Sequence, residues 1–192
     1  MAALIAGRTA SGMPGLDIAE QKSWQNFLDS TLRLYATLNR RLTEAHELSL
    51  FDVRVLDMLD HAPSGSVRMG DLAEALASLP SRLTRQIRRL ESQGLVRREA
   101  STADRRGAVA SITADGRTAV QQAMVTYSEC VRTNFLGQLS RSQVAAMGEN
   151  CRRISARSGA PANDAGRREA GDQIKPLPLS AVAWQSGLMH SP

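Results

Sequence analysis

The sequence predicts a mainly α-helical fold that carries one small β-hairpin, an α+β arrangement with little β. Two observations predict it. Apolar residues recur at three- and four-residue spacings over most of residues 17–157, the period of helices with one buried face. Within that background, residues 95–100 and 108–113 read as two short strands around a polar tip at 101–107. A chain of 192 residues with 42% hydrophobic content can bury a core as one domain with appendages. With only 4% aromatics, that core must be mostly aliphatic.

Residues 1–16, rich in Ala, Gly and Ser, read as a flexible leader. A long first helix follows over 17–47, in which Trp24, Phe27, Leu28, Leu34, Tyr35, Leu38 and Leu42 recur at helical spacing. It exceeds the roughly 8–20 residues of an ordinary globular helix, and an oligomer interface is a natural use for the surplus. Ser49 reads as the N-cap of a second helix, with Asp52 as its acidic first-turn partner and Val53, Leu56 and Leu59 as its buried face. It ends at the break His61-Ala62-Pro63. A short strand at 67–69 and a third helix over 70–79 come next.

A turn through Ser78-Leu79-Pro80 leads to the fourth helix. There Leu83, Ile87 and Leu90 fall on one side, and Ser81, Arg85, Arg88 and Ser92 on the other. Two helices joined by a tight turn, the second exposing arginine and followed by a basic hairpin, make a winged helix-turn-helix. Thr113 is placed to cap a long fifth helix running to about residue 139. Ser140 and Gln143 form a capping box for a sixth helix over 141–157, with Val144, Met147, Cys151 and Ile154 as its apolar stripe. From residue 158, glycines and prolines punctuate a segment without periodicity, expected to be a disordered tail.

Charge is placed as well as present. Residues 1–80 carry seven basic and ten acidic side chains, whereas residues 81–106 carry eight Arg against Glu91, Glu99 and Asp104. The net charge of +5 therefore hides a local basic footprint, which points to a polyanionic partner. Arg outnumbers Lys twenty-two to two. Coding bias explains the choice of Arg but not its clustering. The two cysteines, Cys130 and Cys151, have no metal-ligand spacing, and His46, His61 and His190 are isolated, so neither metal nor cofactor is expected. There is no charged n-region before the apolar run at 2–6 and no stretch approaching a membrane span, which reads as a cytoplasmic protein.

The run MGDLAEALASLPSRLTRQIRRLESQGLVRREASTADRRGAVASITADGR, residues 69–117, resembles the MarR family of bacterial transcriptional regulators. The resemblance rests on the "LAEAL" helix, the run T-R-x-x-x-x-L-E-x-x-G-L-V-R-R and the wing D-R-R-G followed by T-x-x-G. The preceding LSLFDVRVLDML also fits, and the likeness spans about residues 20–157. Two departures stand out: the tail from Ser158, and a turn at 77–80 that lacks the usual glycine and polar residues.

The resemblance implies a homodimer of winged helix-turn-helix domains. Residues 17–47 would be an N-terminal dimerisation helix, 48–113 the DNA-binding domain and 114–157 the C-terminal dimerisation helices. It implies a ligand-responsive repressor on a palindromic operator in double-stranded DNA, associated with the nucleoid when bound. The fourth helix would enter the major groove with Ser81, Arg82, Thr84, Arg85, Arg88 and Arg89 as contacts. Early hydroxyls suit phosphate, and arginine suits the O6 and N7 of guanine. In the wing, Asp104 would pair with an arginine while Arg106 or Arg105 enters the minor groove.

Family likeness also implies a cleft for a small aromatic or anionic effector, with Trp24, Phe27, Tyr35, His46, Arg54 and Met58 as candidate lining residues. These are also the residue types that fill cores and interfaces. Two other functions compete with a ligand-responsive regulator: redox sensing through Cys130 or Cys151, and a winged helix used for protein contact. The favoured reading of both cysteines is buried and inert. An enzyme is not expected, because no GxSxG, HExxH, P-loop or GxGxxG constellation is present.

Overall fold

The computed structural model describes residues 13–100 and 108–158. Among the described residues, six helices and three strands run in the order α1 (Ile18–His46), α2 (Leu50–His61), β1 (Ser66–Arg68), α3 (Met69–Ala75), α4 (Pro80–Ser92), β2 (Val96–Ala100), β3 (Ala108–Ile112), α5 (Ala114–Asn134) and α6 (Arg141–Ser158). A short 3-10 turn, Leu136–Gln138, separates the last two helices. The first compact unit extends to residue 145, and the remainder of α6 belongs to a second unit.

Helix starts follow local chemistry. Asp17 and Glu20 cap α1 reciprocally, side chain to backbone, at 2.9 and 2.8 Å. Ser49 and Asp52 do the same for α2, and Ser140 with Gln143 for α6. Helix ends follow less obvious causes. The third helix stops at Ala75 rather than near residue 79, because Ala77 turns into the left-handed region at φ 47° and Ser78 N–H closes back on the Ala73 carbonyl. The fifth stops at Asn134 rather than near 139. Phe135 leaves helical geometry there, and the Asn134 amide donates to the Cys130 carbonyl at 2.9 Å.

The strands form one antiparallel sheet in the order β1-β3-β2, with Val67 opposite Ala110 and Arg98 opposite Ala110 on its other side. The core lies where the sheet, α2 and α4 meet. Leu83, Ile87 and Leu90 of α4 are fully buried there against Val53, Leu56 and Leu59 of α2, Leu72 of α3 and Val96 of β2. Leu38 and Leu42 of α1 and Val120 and Ala123 of α5 extend the same cluster. An Arg117–Asp60 ion pair ties α5 to α2.

Two glycines set the joint between α4 and the hairpin. Gly94 has φ 75°, and the amides of Gly94 and Leu95 close on the carbonyls of Glu91 and Leu90, both at 3.0 Å, a Schellman stop. Gly116 lies against the Leu95 carbonyl with no space for a Cβ. Thr113 fastens this joint: its hydroxyl donates to the Gly94 carbonyl at 2.7 Å and accepts from Gly116 N–H at 3.0 Å.

Candidate nucleic-acid interface

On α4, at about 100° per residue, the side chains sort into three directions. Leu83, Ile87 and Leu90 face the core. Ser81, Arg85, Arg88 and Ser92 form the outward face, and all four are exposed. Among the described residues the guanidinium groups of Arg85 and Arg88 make no ion pair or hydrogen bond. Arg82, Gln86 and Arg89 lie along the third direction, the flank toward α2.

That flank is occupied by specific contacts. The Arg82 guanidinium sits over the Phe51 ring, 5.0 Å from its centroid, a cation–π contact. Arg89 is ion-paired with Asp52, and Gln86 donates to the other oxygen of the same carboxylate. Asp52 is completely buried, whereas the Arg89 side chain is 42% exposed. Thr84 is half-buried and its hydroxyl donates to the Pro80 carbonyl at 2.8 Å, which leaves the oxygen lone pairs for a partner. The α4 cap residue is Leu79, which makes no side-chain cap hydrogen bond, and Pro80 occupies the first turn. The early N–H groups of α4 thus suit an external acceptor such as phosphate.

The hairpin strand β2 adds Arg97 and Arg98, both exposed. Arg97 lies 3.7 Å from Glu99, and Arg98 N–H donates to the Glu91 carboxylate at 3.3 Å. The expected wing residues Asp104, Arg105 and Arg106 lie outside the described residues.

A second feature lies between α1, α2 and α5: a pocket of about 200 Å³ lined by Tyr35, Leu50, Phe51, Arg54 and Tyr127. It unites two of the expected effector contacts, Tyr35 and Arg54. The other four are elsewhere. Trp24 and Phe27 lie exposed on α1 with ring centroids 6.0 Å apart. His46 Nε2 is 2.8 Å from Thr126 Oγ1, and Met58 packs against the core. Nothing local marks Leu50, Phe51 and Tyr127, because apolar and tyrosine residues on helix faces carry no signal of a shared cavity. Asp52 was legible as a cap, but its second role needs the packing of α4 on α2.

Cys130 is buried, with the Asn134 amide 3.3 Å from its Sγ. Cys151 is exposed, contrary to the burial expected of it, because its stripe on α6 is uncovered at that turn. Among the described residues, no cluster of His, Cys, Asp and Glu could hold a metal ion, and no helix is long and apolar enough to cross a membrane.

The MarR family model matches residues 48–107. Two solved structures from Streptomyces coelicolor are similar along most of the chain. AbsC, a MarR family transcriptional regulator, is 28% identical, covers 76% of this chain and 98% of its own, and superposes with a TM-score of 0.71. Sco3205, a MarR family transcriptional regulator solved in complex with DNA, is 28% identical, covers 79% and 95%, and reaches 0.73. A cysteine variant of E. coli MarR, solved with operator DNA, shares the fold at 19% identity, covering 72% and 99% with a TM-score of 0.63. No curated protein matches the sequence. Members of the matched family are transcription regulators, not enzymes.

Proposed function

From a chain that carries a MarR-family domain over residues 48–107 in a winged-helix fold, we propose a ligand-responsive repressor that binds a palindromic operator as a homodimer. The observation that carries this reading is the outward face of α4, where Arg85 and Arg88 stand exposed and unengaged among the described residues. With α4 in the major groove, Ser81 and Thr84 meet phosphate, Arg85 reads a guanine edge and Arg88 neutralises backbone. One bidentate arginine–guanine pair discriminates bases by roughly 1–3 kcal/mol. Arg106 or Arg105 enters the adjacent minor groove, with Asp104 fixing the hairpin.

The dimer is supported by apolar side chains left exposed on α1. Ile18 is 77% exposed and Leu32 57%, alongside Trp24, Phe27 and Leu28. Trp24, Leu28 and Leu32 are four residues apart, so apolar surface lies exposed along one side of the helix, the mark of an interaction face. A second copy would cover it and set two α4 helices about one DNA turn apart, ~10 bp between half-site centres. The pocket suits one small ring: Tyr35, Phe51 and Tyr127 offer faces, and Arg54 offers a cation to a carboxylate. An effector bound there would favour a dimer whose α4 helices are wrongly spaced for DNA.

The test uses the duplex upstream of the protein's own gene. Replacing Arg85 and Arg106 together by Ala, with melting temperature and oligomeric mass unchanged, is expected to weaken binding sharply. Unchanged affinity would sink the assignment. A wild-type chain whose affinity does not fall steeply with salt would instead favour a protein-contact role.

A further inference from the structure

Resting on that DNA-binding reading, we infer that Asp52 is a positioning residue for DNA recognition. Through Arg89 and Gln86 it fixes the rotation of α4 about its own axis, and with it which arginines face the groove. Capping α2 needs little of this carboxylate: Ser49 N–H and Ser49 Oγ both donate to Oδ2, at 2.7 and 2.6 Å. Gln86 donates to Oδ1, and Arg89 also donates to Oδ2. Gln86 and Arg89 are three residues apart, so they share one flank of α4. Two donors on one flank, converging on one completely buried acceptor of another helix, hold that flank inward.

Phe51, the residue before Asp52, holds the same flank two turns earlier through Arg82. The first turn of α2 therefore grips α4 at both ends of its length. The basic side chains then divide. Arg82 and Arg89 are retained by α2, while Ser81, Arg85 and Arg88 are presented outward. Arg89 thus acts on DNA through the helix it orients, not as a phosphate contact.

The sign of one substitution separates this from electrostatics. Removing a carboxylate from a DNA-binding face would by itself strengthen binding, because one repulsive charge is lost. Positioning predicts the reverse. The probe is a duplex selected from a randomised pool by the full-length wild-type chain, compared with a scrambled duplex over a salt series. Asp52→Asn and Arg89→Gln are each expected to weaken the selected duplex by on the order of tenfold, the scale of one base contact. For Arg89→Gln the scrambled duplex should bind as before and the slope of log affinity against log salt should stay at its wild-type value; Asp52→Asn, which frees Arg89, should bind the scrambled duplex no more weakly than the wild type. Arg88→Ala, a phosphate contact, should reduce that slope by about 0.9.

The double variant Asp52→Asn/Arg89→Gln should bind no more weakly than Asp52→Asn alone, because that substitution already removes the carboxylate with which Arg89 pairs. It also leaves no unpaired buried charge, so it carries the test if Arg89→Gln, which strands the buried Asp52 carboxylate, fails to fold. Tighter binding by Asp52→Asn, a slope lowered by about one in Arg89→Gln, or additive losses in the double variant would each overturn the inference. A wild-type chain that selects no duplex above the scrambled one would refute the DNA-binding reading itself.

Discussion

Gly116→Ala is the sharpest structural perturbation available in this fold. A Cβ at residue 116 would collide with the Leu95 carbonyl oxygen and come within 2.9 Å of Ile112 Cγ1. The carbonyl is backbone, so no rotamer change relieves the contact. It also accepts from Thr113 N–H at 3.1 Å, so pushing α5 away weakens that hydrogen bond as well. Overpacking of this kind costs ~1–3 kcal/mol, and a weakened hydrogen bond adds up to about 1 kcal/mol. Alanine's better helix propensity returns at most about 1 kcal/mol. The net is about 2 kcal/mol, or a Tm fall of roughly 4–8 °C for a domain of this size. Thermal melts followed by circular dichroism read it directly. Gly70→Ala in α3 is the control: a Cβ there meets nothing within 4 Å, so it should leave Tm level or raise it slightly. A Gly116→Ala chain melting at or above wild type would refute the close approach.

Gly94→Ala should lose about 1 kcal/mol with no clash at all, because only the left-handed φ of 75° opposes it; Gly94→Asn should recover part of that Tm. Leu32→Asp, on the exposed face of α1, should halve the mass seen by light scattering without lowering helicity if the proposed dimer forms, and an unchanged mass would remove α1 from the proposed interface. If the pocket takes aromatic carboxylates, benzoate should raise the wild-type Tm and fail to do so in Arg54→Ala. Glu149 accepts hydrogen bonds from Arg152 and Arg153, which hold its carboxyl below the ordinary 4.5. Its contribution to α6 is thus present above the ordinary value and lost as pH falls through the lowered one. An NMR titration with a midpoint at or above 4.5 would contradict the pairing.

What could be read in advance depended on how local the cause was. The caps at Ser49 and Ser140 are interactions between residues three apart, and both stand where the sequence puts them. Period alone marks Leu83, Ile87 and Leu90 as core, and all three are fully buried. Nothing local marks the end of α3, because the left-handed residue is Ala77, and alanine gives no warning of positive φ. The end of α5 is equally unmarked, because Phe135, which breaks it, is neither Gly nor Pro. The pocket joins Tyr35 to Tyr127 across ninety-two positions, a juxtaposition no local pattern contains.

Charge counting met the same limit from another side. Eight arginines in residues 81–106 suggest a uniformly basic surface. Packing sorts them. Arg89 is committed to a buried carboxylate, Arg82 to an aromatic ring and Arg97 lies beside Glu99. Arg85 and Arg88 remain uncommitted on α4 among the described residues. A regulator gains from this division. Arginines that are all free bind any phosphate backbone, and the sequence-independent part of affinity grows with each one. Holding some of them against α2 lowers that background and fixes the helix that carries the others. Specificity, a ratio of affinities, rises on both counts. The buried acid beneath a basic helix is therefore not at odds with DNA binding. Under the proposed function, it separates arginines that orient α4 from arginines that read.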